Sequence, residues 1–320
     1  MSLVKGYVPK PVKRTTNFRR TTAKPTAKPV KSMDSVLGTA MVEHLDAINK
    51  KSYFPKAEVE EILLRDKKFE IHRMKNRFTT PDGLVKFTPS GASKCRRELF
   101  YKFARARQDE IQQAPFNNRW TRNSTAIHGA TQRDLLYAPY LLKNPYFKMK
   151  MVVKEGFGLL PAWERNIETY KVIEYNGVKF VVSGMMDGLL EVIETGQTVG
   201  FEYKTKSNDS NQINKMTKPA QPHIAQVVSY SLVFEDDNGN PVDDYLITYE
   251  AVAKDKWDSG DYAVPDVKSF HVKVSQRQKT NMLKKFSEVA QMVYDGEIPE
   301  RETSKCMFCP FKDICLGGER

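Results

Sequence analysis

The spacing of apolar and polar positions changes period several times along the chain, and each change marks an element. Asp34 or Ser35 can cap a first helix reaching about residue 50, and Val59, Ile62 and Leu63 share one face of a second over 56–66. Thr88-Pro89-Ser90 opens a third helix over 91–107, with Ala92, Cys95, Leu99 and Phe103 at helical spacing. A fourth is expected over 119–142, capped by Asn118 or Thr121. The period then falls to two. Strands over 170–175 and 178–183 flank Asn176-Gly177, a strong two-residue hairpin turn. Further strands over 185–193 and 198–204 meet at Thr195-Gly196-Gln197. A helix over 219–234, strands over 245–253 and 269–274, and a long helix over 276–295 lead into a cysteine-rich end. Strands set between helices predict an α/β (α+β) fold with a mixed central sheet and no internal repeat.

Composition agrees with a folded body: 40% of the 320 residues are hydrophobic and 28% charged. Charge adds a partner class. Fifty-one Lys and Arg against 39 Asp and Glu leave +12, which favours a polyanion, nucleic acid above all. The excess is uneven, because residues 1–33 hold nine basic side chains, four prolines and no acid, so the rest of the chain carries only +3. That segment, with its near-repeat Ala23-Lys24-Pro25 and Ala27-Lys28-Pro29, reads as a disordered basic arm. It suits phosphate contacts and equally suits a solubilising or tethering tail.

No apolar run approaches the roughly 20 residues of a membrane span, so no membrane partner is expected. The first residues, Met1-Ser2-Leu3-Val4-Lys5, lack the apolar core of a secretory signal. The four cysteines are therefore expected in a reducing, cytoplasmic setting, as ligands or inert thiols. The lack of a GxxxxGK[ST] loop argues against an ATP-driven motor.

Three clusters carry chemistry. In the first, Glu202 and Lys204 are two apart on one strand and project to the same face. Antiparallel pairing with the strand before would bring Asp187 within reach, and two carboxylates suit Mg²⁺ or Mn²⁺. An adjacent ammonium would help offset the charge of a phosphoryl transition state, although Glu-x-Lys also occurs on ordinary half-exposed strands. His128 on the fourth helix could add a borderline nitrogen ligand or be a satisfied polar side chain. Gln226 and Tyr230 stand at i and i+4 of one helix, able to hold a phosphate, orient the lysine, or cap the sheet. In the last cluster, Cys306-x₂-Cys309-x₅-Cys315 joins the distant Cys95 to make four thiols. Four thiolates suit either tetrahedral Zn²⁺ or an iron–sulfur cluster and would staple the chain's end to an early helix.

Read in order, Cys95, His128, Asp187, Glu202-x-Lys204, Gln226-x₃-Tyr230 and Cys306-x₂-Cys309-x₅-Cys315 resemble the iron–sulfur subset of RecB-like PD-(D/E)XK nucleases. That subset includes the CRISPR-adaptation nucleases and AddB-like exonucleases. The resemblance covers about residue 88 to Cys315 and implies a restriction-endonuclease-like core with a C-terminal cysteine staple. It implies that His128, Asp187, Glu202 and the Tyr203 carbonyl hold a catalytic Mg²⁺ or Mn²⁺. Lys204 would act on the attacking water or the developing charge, and Gln226 and Tyr230 would support the site and touch DNA. Cys95, Cys306, Cys309 and Cys315 would hold a [4Fe–4S] cluster, with Zn²⁺ the alternative. The sequence departs from the pattern at Ser124, where the family often has glycine four residues before its histidine.

The expectation is a DNA exonuclease that prefers ends or single strands and leaves 5′-phosphates. A replication or recombination protein is an expected partner, and a phage or mobile-element genome acting in a host cytoplasm suits the small size and basic arm. Arg96, Arg97 and Arg105 could line its strand groove or form a solvated helix face. The competing expectation is a non-catalytic DNA-binding protein with a Cys₄ zinc or iron–sulfur site. The expected domains are the arm (1–33), a helical region (34–87) and the nuclease domain (88–320).

Overall fold

Runs of period two rich in Val, Leu and Tyr pair into sheets, and the amphipathic runs cover them as helices. The computed structural model describes residues 33–52, 54–110, 114–206, 210–254, 264–302, 306–307 and 309–317. Residues 1–32 of the expected basic arm lie outside them. In chain order the elements begin with helices α1 (Met33–Asn49) and α2 (Ala57–Lys75), strand β1 (Lys86–Phe87), and helices α3 (Arg96–Phe103) and α4 (Pro115–Leu141). Seven strands follow: β2 (Phe147–Met149), β3 (Met151–Lys154), β4 (Gly158–Pro161), β5 (Thr169–Tyr175), β6 (Val178–Gly184), β7 (Gly188–Val192) and β8 (Thr198–Lys206). Helices α5 (Ser210–Asn214) and α6 (Gln221–Tyr230), strands β9 (Asp244–Ala251) and β10 (Val267–Lys273), and helices α7 (Gln276–Asp295) and α8 (Lys312–Leu316) complete the fold.

The central sheet has the order β10-β9-β8-β7-β2. Only β8 and β9 run parallel in it; the other pairs are antiparallel, so the sheet is mixed as expected. A second sheet, β1-β6-β5, contains the Asn176-Gly177 hairpin, and β3 and β4 form a separate pair. Alternation on β8 and β9 divides the core. Val199, Phe201, Tyr203 and Leu246 enter one apolar cluster with α1 and α4 residues. Tyr245, Ile247 and Tyr249 enter another with α6 and α7 residues.

Two glycines allow this packing. A Cβ on Gly38 of α1 would lie 2.6 Å from the Ser269 carbonyl oxygen, so glycine lets α1 close onto β10. A Cβ on Gly200 would overlap the Tyr245 ring, which in turn stacks on Tyr230 with centroids 6.3 Å apart. Residues 32–320 belong to one compact unit. No helix among the described residues is long and apolar enough to cross a membrane.

Several boundaries differ from expectation for local reasons. The third helix does not start at residue 91, because a 3₁₀ turn over Pro89–Gly91 comes first and Cys95 caps α3 by accepting the Glu98 N–H at 3.3 Å. Helix α4 starts at Pro115, where a proline at the first helical position costs no hydrogen bond. α2 continues to Lys75 rather than ending near residue 66. Strands β2, β3 and β4 hold three or four residues each, too few for a period to show in the sequence. Helix α7 matches expectation, held by a Ser275–Gln278 capping box and ended by Gly296 at φ 73°.

Candidate active site

The β7–β8 ladder ends on the pair Gly188–Phe201, which sets Asp187 across from Glu202. Side chains two apart share a face, so Glu202 and Lys204 project to the same side of β8, and Asp187 stands across from Glu202. The Tyr203 N–H donates to Asp187 Oδ2 at 2.7 Å. His128, reaching in from α4, places Nε2 2.7 Å from the Tyr203 carbonyl oxygen and 3.4 Å from Asp187 Oδ2. An imidazole nitrogen, a peptide carbonyl and a carboxylate oxygen thus converge on one spot.

Glu202 is buried, 1% exposed. Its Oε1 accepts a short hydrogen bond from Lys204 Nζ, and its Oε2 is sealed from solvent without a partner among the described residues. Burial pushes the Asp187 carboxyl well above the ordinary carboxylate range, and the Glu202 charge adds to the rise. The Tyr203 N–H and Lys204 oppose it without cancelling it. Two buried carboxylates that repel, one with an orphan oxygen, form a site short of positive charge. A divalent cation with a preference for oxygen and imidazole donors fits it.

One ligand candidate escaped the sequence reading. Glu164, His128 and Asp187 each bring a ligand atom within 4.8 Å of the others. Glu164 sits at φ 40° on a 3₁₀ turn, an unusual conformation for a residue with a side chain. Its N–H donates to the Met186 carbonyl at 2.7 Å, tying the turn to the Asp187 loop. Asp66 of α2 anchors that turn by accepting from Asn166 Nδ2 at 2.6 Å and Trp163 Nε1 at 3.2 Å. No motif surrounds Glu164 in the sequence; its place depends on a turn held from a distant helix.

Gln226 and Tyr230 are brought to the same place and bonded to each other. Gln226 Nε2 donates to the Tyr230 hydroxyl at 2.9 Å, and that hydroxyl donates to the Met185 carbonyl at 3.0 Å. Tyr230 therefore braces the bend that delivers Asp187. Burial raises the phenol well above its ordinary range, with Glu202 and Asp187 reinforcing the effect, so it keeps its proton for that bond. A cleft of about 790 Å³ opens beside Lys204 and Gln226, lined also by Ser93, Lys94, His223 and Lys285. The buried Tyr249 hydroxyl accepts the Ala220 N–H at 3.0 Å and lies 2.7 Å from His223 Nδ1. His223 is held down to about 4 by burial, with Lys204 and Lys206 adding to the effect, so a neutral ring faces the cleft.

Cys95, Cys309 and Cys315 converge elsewhere. None of the four cysteines forms a disulfide; Cys95 and Cys315 are buried, Cys306 and Cys309 half-buried. Cys315 and Cys309 pack with Phe100, Tyr101 and Phe311 in a small apolar cluster. Burial, above all, raises the thiols of Cys95 and Cys309, and neighbouring cysteines add to the rise in both. Arg97 clamps the group by donating to the Pro299 carbonyl at 2.6 Å and the Cys315 carbonyl at 3.5 Å. Arg96 donates to Glu288 Oε2 at 2.8 Å and, through its backbone N–H, to Glu302 Oε1 at 3.1 Å. Both are thus bonded to the C-terminal part of the chain rather than standing free on a solvated helix face. Arg105 lies just past α3 at φ 51°.

Residues 95–316, more than two thirds of the chain, match the family described as the PD-(D/E)XK nuclease superfamily. No curated protein matches the sequence at a significant level. Among solved structures, the crystal structure of SSO0001 is similar over 84% of this chain and 100% of its own, at 15% identity and TM-score 0.40. An alkaline exonuclease (LHK-Exo) from Laribacter hongkongensis is similar over 67% of this chain and 90% of its own, at 13% identity and TM-score 0.38. Its complex with dAMP covers the same shares at 13% identity and TM-score 0.37. The extent of the sequence match carries the conclusion: this chain belongs to the PD-(D/E)XK nuclease superfamily.

Proposed function

We propose that the protein is a divalent-metal-dependent DNA exonuclease of the RecB-like, iron–sulfur kind, acting on ends or single strands. The observation that carries this reading is the meeting of His128, the Tyr203 carbonyl and Asp187 beside a buried, half-unpartnered Glu202. His128, Asp187, Glu202 and the Tyr203 carbonyl would hold Mg²⁺ or Mn²⁺, with Glu164 within reach of the same position. A bound cation would lower the pKa of water and offset charge in the phosphoryl transition state. Lys204, fixed by Glu202, presents its ammonium to the scissile phosphate. Tyr230 keeps the Asp187 bend in place, and Gln226 faces the cleft where the strand would lie. A purely DNA-binding protein gains nothing from burying two repelling carboxylates, which destabilise the fold unless a cation offsets them.

The four thiols would hold a [4Fe–4S] cluster as a clamp on the chain's end. Support comes from Cys95, Cys309 and Cys315 lying near one another, since Cys315 adds to the raised thiols of both Cys95 and Cys309, and four thiolates suit such a cluster or tetrahedral Zn²⁺. Protein carrying iron and sulfide agrees with this assignment, and colourless protein with one equivalent of zinc overturns it.

The direct test uses end-labelled single- and double-stranded DNA with Mg²⁺ or Mn²⁺. Wild type should release nucleotides, whereas Lys204→Ala and Asp187→Ala should lose about a thousandfold or more in rate while remaining folded. Undiminished cleavage by either variant would place the chemistry elsewhere.

A further inference from the structure

Helix α4 has two unlike halves. From Thr131 to Ala138 it is largely buried against the body, whereas its first three turns are mostly exposed. Along those turns Phe116, Trp120, Ser124 and His128 follow one another at intervals of four, so they form one ridge on the helix surface. Phe116 and Trp120 are 50% and 57% exposed, and their rings meet edge to face with centroids 5.5 Å apart. Large exposed aromatics are costly to leave in water and mark contact surfaces. Ser124, next on the ridge, is bonded to Thr205, the residue after Lys204. A groove of about 280 Å³ lies there, lined by Trp120, Thr121, Asn123, Ser124, Thr205 and Val252. The ridge then ends at His128, in the candidate metal site.

The charge on these turns selects the occupant. Arg119 lies one turn after Phe116 on the same side of the helix, Arg122 lies on a neighbouring face, and residues 115–133 contain no acid. Among the described residues neither arginine forms an ion pair or hydrogen bond, in contrast to Arg96 and Arg97 on α3. Exposed rings with cations beside them match an unpaired nucleic-acid strand, which offers base faces to stack and phosphates to neutralise. A duplex keeps its base faces buried and offers only the phosphates. At 1.5 Å per residue Trp120 stands about 12 Å along the helix from His128, and Phe116 about 18 Å. A few nucleotides of extended strand span that distance.

We propose that the exposed half of α4 is a rail for single-stranded DNA, with Trp120 and Phe116 stacking unpaired bases and Arg119 engaging the phosphates of the strand that reaches His128. The proposal deepens the nuclease reading and rests on it for the direction of the strand.

Binding is measured in the Lys204→Ala background with Mg²⁺, using a fluorescein-labelled 20-nucleotide oligo(dT) and a blunt duplex of equal length. Trp120→Ala should weaken binding to the single strand about tenfold or more, the loss expected from one base–aromatic stack, and change duplex binding by less than about twofold. Trp120→Tyr should retain affinity within about threefold, and Trp120→Leu, equally apolar but unable to stack, should not. Equal single-strand affinity in wild type and Trp120→Leu overturns the rail. So does a concentration-dependent self-association by sedimentation that Trp120→Ala abolishes while DNA affinity stays unchanged, since the pair would then seat a second copy of the chain. Hydrolysis by wild type is scored separately: no cleavage with a Trp120-dependent affinity refutes the nuclease reading, whereas cleavage with no Trp120 dependence refutes only the rail.

Discussion

The carboxylate site and the cysteine cluster each gather side chains from distant parts of the chain, yet their surroundings are opposite. Around Asp187 and Glu202 the charges repel, one carboxylate oxygen has no partner among the described residues, and a cleft leads in from solvent. Around Cys309 and Cys315 the thiols lie among Phe100, Tyr101 and Phe311, with Arg96 and Arg97 tying the segment to neighbouring acids and carbonyls. On the proposed reading the first arrangement would hold an exchangeable cation at some cost to stability, and the second a permanent group that anchors the C-terminal end. Function and stability would then be divided between two sites that can be removed one at a time.

The largest effect should separate them by rate. Asp187→Asn should reduce hydrolysis about a thousandfold or more, read with end-labelled DNA, without lowering the melting temperature of metal-free protein. A matching loss of stability would break the comparison, because the carboxylate site would then be holding the fold together. Cys315→Ser should do the reverse. Its melting temperature should fall by on the order of 10 °C with loss of iron and sulfide, the several kcal/mol expected when a structural cofactor is lost. The folded fraction should still cleave DNA.

A smaller effect lies in pH. The Asp187 carboxyl is raised in the folded, metal-free protein, so the native state keeps a proton that the unfolded chain releases first as pH climbs past 3.8. Stability in EDTA should therefore fall as pH rises from that value toward neutrality. Urea unfolding of Asp187→Asn should show this slope reduced, and an unchanged slope would remove the electrostatic half of the argument. Smallest is Arg96→Ala: its partly exposed pairs with Glu288 and Glu302 are worth about 1 kcal/mol or less, and DNA affinity should not change. Arg119→Ala, by contrast, should weaken DNA binding and lower its salt dependence while leaving the melting temperature unchanged.

These two arginines show where reading by composition stops. Helices α3 and α4 both carry arginines and aromatics, and the sequence left open whether those of α3 line a strand groove or form a solvated face. The structure gives Arg96 the acids Glu288 and Glu302, some 200 residues away in the chain, and leaves the N-terminal turns of α4 facing solvent. The candidate carboxylate site was half legible. Alternation put Glu202 and Lys204 on one face, and an i, i+4 interval paired Gln226 with Tyr230. Asp187 depended on the register that ends at Gly188–Phe201. Glu164 had no local signal, because its place follows from a turn at positive φ that Asp66 of α2 holds.

By itself the sequence determined what short-range chemistry can encode. That includes the periods that make the α/β elements, the hairpin at Asn176-Gly177, the face shared by Glu202 and Lys204, and the count of four thiols. Only the tertiary structure decided which partners those groups meet. It set Asp187 against Glu202, brought Glu164 to His128, spent the arginines of α3 on the C-terminal segment and left the aromatic ridge of α4 in solvent. The physical reason is range. Backbone propensity and side-chain alternation act over a few residues, whereas strand register and the desolvation of a charge depend on segments that meet only when the chain has folded.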